Sequence, residues 1–316
     1  MTSLPPEDLL PPPAPSHPGA PPAAAARRRV FPNLLQTLLL LLAFLAAIAG
    51  AALALSPLHA QVPEHLYFLG VMLLGEGAVV LVGFRLGRWP LRRVLGELGF
   101  SVRTLRRLVA IAFGNLLLIA SLIYVVSVLF GPLEQEYLLE LFTLDDAAEF
   151  WVLFVMVGLA APLLEELLFR GILLRGLVSS WGATGGVLWT AFFFALIHMS
   201  PVQAAPAFVN GAVWGFVLLR TGSFGAVLFL HALNNSLVFL LVQLTMGADP
   251  RTQSPTPETL TATGAGVALV TGLAGLWLVR RAYLSLRPAP ERLAELWGFP
   301  PPIAPGVNAP GTASGA

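Results

Sequence analysis

Long apolar segments constrain this chain more than any other feature of its sequence. A helix needs about 20 apolar residues to cross the hydrocarbon core of a bilayer. Of the 316 residues, 56% are hydrophobic and only 11% are charged, a balance typical of a polytopic membrane protein and too apolar for a soluble one. We therefore expect an all-α transmembrane bundle of eight spans, at residues 33–55, 66–85, 108–130, 149–175, 183–199, 203–220, 224–246 and 259–280.

The placement of arginine predicts how these spans are oriented. Cytoplasmic loops are rich in basic residues, and every basic residue of this chain is arginine. Arg27 to Arg29 precede the first span, seven arginines lie in residues 85–107 from the end of the second span to the start of the third, and Arg280 and Arg281 follow the eighth. The acidic connection at residues 131–149 has none. Eight spans with both termini in the cytoplasm satisfy this distribution.

The two ends of the chain differ from the spans. Residues 1–30 and 285–316 are rich in Pro and Ala, and we expect disordered tails on either side of a bundle at 31–284. The chain has no cysteine, which excludes disulfides, thiolate metal ligands and a cysteine nucleophile, and its net charge of +1 does not indicate a nucleic-acid partner. Arginine without lysine, together with abundant Ala, Gly and Pro, indicates a GC-rich bacterial genome, and hence a multi-pass protein of a bacterial inner membrane.

Ionisable and amide side chains interrupt several of the predicted spans. Such groups are costly inside a bilayer and usually face a bundle interior or a water-filled cavity, where they are functional. For Glu76 in the second span we expect a simpler role, either bonding a neighbouring helix or lining the cavity. The other candidates lie in the fourth, fifth and seventh spans: Glu165, Glu166, Arg170, His198, His231 and Asn235.

Helical geometry separates these candidates. Glu166 and Arg170 are four residues apart, so they share a face and can pair. Glu165 points about 100° away from Glu166 and has no arginine four residues later, which leaves its carboxylate free for another task. His231 and Asn235 are also four apart and present an imidazole and an amide toward one place.

A carboxylate and two imidazoles in a dry cavity are suited to activating water. A desolvated glutamate can serve as a general base, and imidazole and amide donors can stabilise the oxyanion of a tetrahedral intermediate. Alternatively, Glu165, His198 and His231 form a reasonable zinc ligand set with one open position for water. Taken singly, each residue could instead be structural, as an ion-pair clamp, a bonded core histidine or an amide joining two helices.

Three short motifs resemble those of a known family. The segments EELLFR (165–170), FALIH (194–198) and HALNN (231–235) are similar to the EExxxR, FxxxH and HxxxN motifs of the CPBP family. This family contains the CAAX-processing and bacteriocin-processing intramembrane proteases, and is also called the ABI family. The motifs follow in order, each on its own predicted span, and the likeness covers about residues 149–245. We expect the protease core of the bundle there.

The resemblance implies a role for each motif residue. It implies that Glu165 and His198 activate the attacking water, and that His231 and Asn235 hold the oxyanion. The family is commonly labelled metalloprotease, yet a metal-free glutamate mechanism is also argued for it, so one zinc ion or none fits the residues. The supporting motif residues are Glu166 and Arg170.

Together these observations predict an intramembrane endopeptidase. Its substrates would be membrane-associated or lipidated, CAAX-like peptides or proteins, with the lipid bilayer as its surroundings and no nucleic acid as partner. The alternatives are a non-proteolytic scaffold or immunity protein of the same family, and a transporter, since charged residues on broken spans also mark ion pathways. The intact set of Glu165, His198, His231 and Asn235 favours the enzyme.

One expectation conflicts with this site. Counted along the predicted spans from the inner face, His198 would lie about 22 Å deep and His231 about 10 Å deep. The two imidazoles would then not meet, unless the fifth span begins later or is tilted, or the expected edges are wrong. The glycines at 182, 185 and 186 favour the first alternative, a fifth span that begins later or is tilted.

Overall fold

A computed structural model of the protein describes residues 30–96, 98–130, 144, 146–246 and 261–297. These residues are largely helical and contain no strand, which confirms the predicted all-α class. Residues 1–29 of the predicted tail at 1–30 lie outside the described residues, as do residues 298–316 of the other tail and most of the acidic connection.

The helical elements follow the predicted spans closely. Two of them have the wider π-helical hydrogen bonding and are named π1 and π2. In chain order the elements are α1 (Leu34–Leu55), α2 (Glu64–Leu86), α3 (Leu91–Gly96), α4 (Val102–Phe130), α5 (Ala147–Val155), π1 (Met156–Ala160), α6 (Ala161–Glu166), π2 (Leu167–Leu173), α7 (Leu174–Leu196), α8 (Pro201–Thr221), α9 (Phe224–Met246), α10 (Ala262–Ser285) and α11 (Pro290–Trp297).

The described residues contain seven segments long and apolar enough to cross a membrane, where eight spans are predicted. The difference lies in the fourth segment, Ala147–Leu196, which runs for 50 residues and includes both the fourth and fifth predicted spans. A straight helix of this length would measure about 75 Å, more than twice the bilayer core of about 30 Å. The segment must therefore change direction. The placement of both termini in the cytoplasm stays a prediction.

The change of direction occurs at Gly182 within α7. Its φ of +75° and ψ of 177° are not helical, and this φ is one that glycine adopts readily. The two limbs on either side of Gly182 fold tightly together. A Cβ atom at Gly186 would lie 2.5 Å from the backbone nitrogen of Val178, so only glycine fits there. As a result Phe169 and Phe194 meet, with ring centroids 5.0 Å apart.

Small residues bring the long helices together, as they commonly do in membrane proteins. Gly114 of α4 faces Gly275 of α10, and a Cβ atom at Gly114 would lie 3.0 Å from the carbonyl oxygen of Gly275. Among the spanning segments α8 is the most buried. In its most apolar stretch 56% of the residues are buried, against 22% for α1 and for α10. The centre of the bundle is therefore around α8.

The helix α11 lies where the sequence predicts part of a disordered tail. Leu293, Leu296 and Trp297 are buried at helical spacing, and the backbone of Ala289 donates a hydrogen bond of 2.8 Å to the carbonyl of Arg220 at the end of α8. The difference arises because the Pro and Ala content of this segment hides three apolar residues that share one helical face. These residues dock against the bundle.

Candidate active site

Both glutamates of the EELLFR motif lie in an unusual stretch of helix. Glu165 and Glu166 end the short helix α6, which is flanked by π1 and π2. Segments of π-helix are rare and frequently occur at functional sites. Arg170 lies within π2, so the whole motif spans the junction between the two helix types. Nothing in the spacing of the sequence indicates these π-helical segments.

The ion pair predicted from helical spacing is present. Arg170 Nη1 donates a hydrogen bond of 2.9 Å to Glu166 Oε1, and neither side chain has any exposed surface. Arg170 Nη2 also donates to the carbonyl oxygen of Gly211 in α8 at 3.1 Å. The guanidinium lies over the rings of Phe194 and Trp214, 5.0 and 5.5 Å from their centroids. The buried positive charge is thus compensated by a carboxylate, a carbonyl and two aromatic faces.

His231 lies between the two glutamates. Its Nδ1 is 2.7 Å from Glu166 Oε1, and its Nε2 is 3.4 Å from Glu165 Oε2. The ring also stacks on Trp214 of α8, with centroids 4.2 Å apart. Because a carboxylate oxygen accepts, Nδ1–H donates to Glu166, and the neutral ring then presents an unprotonated Nε2 to Glu165. The unprotonated Nε2 and the carboxylate oxygen of Glu165 are both hydrogen-bond acceptors, so they can bond only when one proton lies between them. Glu165 and His231 Nε2 therefore form a pair that can hold one proton.

Glu165 is the more accessible of the two glutamates. Its side chain keeps 15% of its surface exposed, whereas Glu166 keeps none. Glu76 of α2 lies near enough for its charge to act on Glu165, and Glu76 Oε2 is buried with no hydrogen-bond partner among the described residues. Whether Glu76 lines a cavity or bonds a neighbouring helix stays a prediction.

His198 reaches the same aromatic wall as His231. Its Nδ1 donates to the carbonyl oxygen of Phe194 at 2.7 Å, so the neutral ring carries no proton on Nε2. The Phe194 ring contacts both imidazoles, with centroids 5.1 Å from His198 and 5.8 Å from His231. The two imidazoles thus meet at one aromatic ring, although the depths counted from the predicted span edges would keep them apart. Within the described residues, however, no hydrogen bond or ion pair joins His198 to Glu165.

Asn235 is held by contacts on both sides of its amide. Its Nδ2 donates to the carbonyl oxygen of Val157 in π1 at 3.1 Å, and its Oδ1 accepts from Asn234 Nδ2 at 3.4 Å. These two contacts determine which way the amide points. One N–H of Nδ2 is used by Val157, and the second stays available to a ligand.

A cluster of three buried amides supports this region, and the sequence reasoning missed it. Asn115 Nδ2 of α4 donates to Asn210 Oδ1 of α8 at 2.6 Å and to Asn234 Oδ1 of α9 at 3.3 Å. All three side chains are buried. Each lies in a predicted span, so the rule that singled out the charged residues could also have found these amides.

The predicted zinc ligands are not brought together as a set. By chemistry they suit a metal, because each imidazole has one ring nitrogen oriented by a carboxylate or carbonyl, as metal-ligating histidines do. By geometry they do not, because within the described ranges no three His, Asp or Glu side chains are placed to hold a metal ion. Glu165 instead contacts His231 directly. The site offers carboxylate, imidazole and amide chemistry, and whether it holds one zinc ion or none stays a prediction.

Comparison with known proteins identifies the part of the chain that holds this site. Residues 147–237 match the family model described as type II CAAX prenyl endopeptidase Rce1-like. The match contains all three motifs and overlaps the protease core expected at 149–245. Nothing matches the chain in comparisons with curated proteins and with solved structures. Over residues 147–237 the chain therefore carries an Rce1-like domain of the CPBP family of CAAX-type intramembrane proteases.

Proposed function

We propose that this protein is an intramembrane endopeptidase that hydrolyses peptide bonds with a water molecule activated at Glu165. One observation carries the proposal. At the centre of an apolar bundle, His231 joins Glu165 at 3.4 Å to the fully buried Glu166 at 2.7 Å. A purely structural ion pair needs only Glu166 and Arg170. Burying a second carboxylate and an imidazole beside it adds a desolvation cost and supplies no further positive charge to offset that cost. A hydrolytic site has a use for both.

The two glutamates divide the work between them. Glu166 already accepts hydrogen bonds from Arg170 and His231 on one oxygen, so it orients the imidazole. Glu165 has no arginine of its own and keeps part of its surface exposed. A general base must reach the proton that it removes. Glu165 is therefore the base, and Glu166 is the residue that positions His231.

Proton transfer follows from the pairing of Glu165 with His231. As a water oxygen attacks the scissile carbonyl carbon, the Glu165 carboxylate takes one proton from that water. The tetrahedral intermediate then collapses with cleavage of the carbon–nitrogen bond, and the proton is delivered to the leaving amine. His231 Nε2 lies 3.4 Å from Glu165 Oε2 and can relay it. General acid–base catalysis of this kind contributes roughly 10²–10⁴-fold to a rate.

The remaining motif residues complete the site. The second N–H of Asn235 Nδ2 is a donor for the oxyanion, held in place by Val157. His198 presents an unprotonated Nε2, which suits it to accept a hydrogen bond from the attacking water. This is the role that the family resemblance implies for His198. The water would lie between His198 and Glu165, which do not contact each other directly.

We further propose that the substrates are membrane-associated or lipidated, CAAX-like peptides. The matched family model is named for a CAAX prenyl endopeptidase, and the site lies inside a bundle whose outer helices present exposed leucines. A peptide held at the bilayer by an apolar anchor would approach such a site at the correct depth. We place the protein in a bacterial inner membrane.

The test is cleavage of a quenched membrane-peptide library by the protein purified in detergent. Wild type should cleave, whereas Glu165→Ala and His198→Ala should not. Glu64→Ala is the control, because Glu64 is an exposed glutamate at the start of α2. Cleavage that persists in both site variants would contradict the mechanism. Metal analysis of the same samples, with the assay repeated after chelation, decides between zinc and metal-free chemistry.

A further inference from the structure

A cleft at the end of α2 lies outside the domain that carries the catalytic candidates. Its volume is about 360 Å³, and its lining combines two arginines, Arg85 and Arg88, with an apolar wall that includes Leu81, Phe84 and Leu91. No acidic side chain lines it. The cleft is therefore positive at one side and apolar at the other.

The two arginines of this cleft have no side-chain partner in the part of the chain that the structure describes. Both are exposed, and within the described residues neither side chain makes a hydrogen bond, an ion pair or a ring contact. By contrast, Arg170 is engaged with Glu166, and Arg220 is engaged with two backbone carbonyls, those of Leu284 and Leu286. An exposed guanidinium pair without a carboxylate is free to bind an external anion.

The backbone at Arg88 shows a conflict between local conformation and residue type. Trp89 N–H donates to the carbonyl of Phe84, and Arg88 N–H donates to the carbonyl of Arg85, each at 3.1 Å. This pattern is a Schellman motif, in which the residue in the place of Arg88 is usually glycine. Arg88 has a φ of +49°, which is unfavourable for any side chain. The backbone conformation favours glycine at this position. We therefore attribute the presence of an arginine to its positive charge and not to the local fold.

The membrane supplies a ligand with the matching chemistry. The outer face of α2 next to the cleft is apolar and exposed, with Leu81 and Leu86 each at 60%. Arginines just beyond the end of a spanning helix lie at the level of the lipid headgroups. We propose that this cleft binds an anionic phospholipid, with the phosphate between Arg85 and Arg88 and an acyl chain along Leu81 and Phe84. This site is separate from the catalytic one and does not depend on the proposed protease activity.

The test is native mass spectrometry of the full chain in detergent, incubated with phosphatidylglycerol and phosphatidylcholine of the same acyl chains. Wild type should retain phosphatidylglycerol in preference. Each arginine at an anionic lipid surface contributes about fivefold to binding, so Arg85→Gln and Arg88→Gly should each lower retention by about that factor. The matched control is Arg280→Gln, because Arg280 is exposed at the end of α10 and does not line the cleft.

Arg88→Gly separates binding from folding. Because glycine suits the backbone at this position, the variant should unfold at the same temperature as wild type or a higher one, while it loses the lipid. Equal retention of phosphatidylglycerol by wild type and both cleft variants would overturn the proposal, as would equal retention of the two lipids by wild type. An equal loss of phosphatidylglycerol by Arg280→Gln would also overturn it, because the lipid would then be held by general attraction to basic residues and not by this cleft. Displacement of the lipid by glycerol 3-phosphate at a similar concentration would indicate a site for a free anion instead.

Discussion

The buried pair of Glu166 and Arg170 provides the most quantitative prediction for stability. In Arg170→Met an unbranched apolar stem remains, but the guanidinium that donates to Glu166 at 2.9 Å and to the Gly211 carbonyl at 3.1 Å is lost. Neither member of the pair has any exposed surface, so the carboxylate would stay buried without its counter-charge. Removing one partner of a buried pair costs roughly 3–5 kcal/mol. We expect the free energy of unfolding to fall by about that amount.

A double variant tests whether the unpaired charge is the cause. In Glu166→Gln/Arg170→Met the amide oxygen can still accept from His231 Nδ1, but position 166 no longer carries a buried charge without its counter-charge. The cost should then fall to that of the lost bond to Gly211, about 1–2 kcal/mol. The assay is unfolding of the detergent-solubilised protein by titration with a denaturing detergent. Arg280→Met, at an exposed site, should change stability by less than about 0.5 kcal/mol.

The outcome of this cycle is decisive for the electrostatic account. If the double variant is as unstable as Arg170→Met or more so, the loss comes from packing and not from an uncompensated carboxylate. The clamp role of Glu166 and Arg170 would then be refuted.

Two further predictions concern the hairpin and the amide cluster. Gly186→Ala places a Cβ atom 2.5 Å from the backbone nitrogen of Val178, which cannot turn aside, so it should cost about 1–3 kcal/mol. The control is Gly77→Ala, whose added Cβ atom meets nothing within 4 Å and should stabilise α2 by up to about 1 kcal/mol. Equal effects of the two changes on unfolding in detergent would contradict the close packing at the turn. Asn115→Leu removes the donor 2.6 Å from Asn210 and should cost about 1–2 kcal/mol in the same assay. An unchanged stability would show that the cluster does not hold the helices together.

Hydropathy was sufficient for most of the fold, because a bilayer demands long apolar helices and leaves few alternatives. It predicted separate fourth and fifth spans, at 149–175 and 183–199, but not the form of the turn between them. A count of spans looks for polar connections, and here two limbs join through a single residue with a φ of +75°. The helix α11 was missed for a different reason: composition averaged over the whole tail conceals a short amphipathic helix within it.

Spacing predicted contacts within a helix but not between helices. The pairing of Glu166 with Arg170 follows from four residues of separation and is present. The contact of Glu165 with His231 joins two helices, and the sequence could place both residues only in the same region. Stacking of His231 on Trp214 had no signal in the sequence at all, because an aromatic residue in a span is usually core packing. Tertiary geometry decides such contacts.

The most direct test of the central claim is the rate of the chemical step in Glu165→Gln. Glutamine has the size and shape of glutamate but cannot take a proton from water. Once a cleaved peptide is known, we predict that the rate constant of the chemical step, measured under single-turnover conditions, falls by roughly 10²–10⁴-fold. KM and the unfolding midpoint should stay near the wild-type values, and Glu64→Gln should be unaffected. A Glu165→Gln protein that cleaves at the wild-type rate would contradict the assignment of Glu165 as the base.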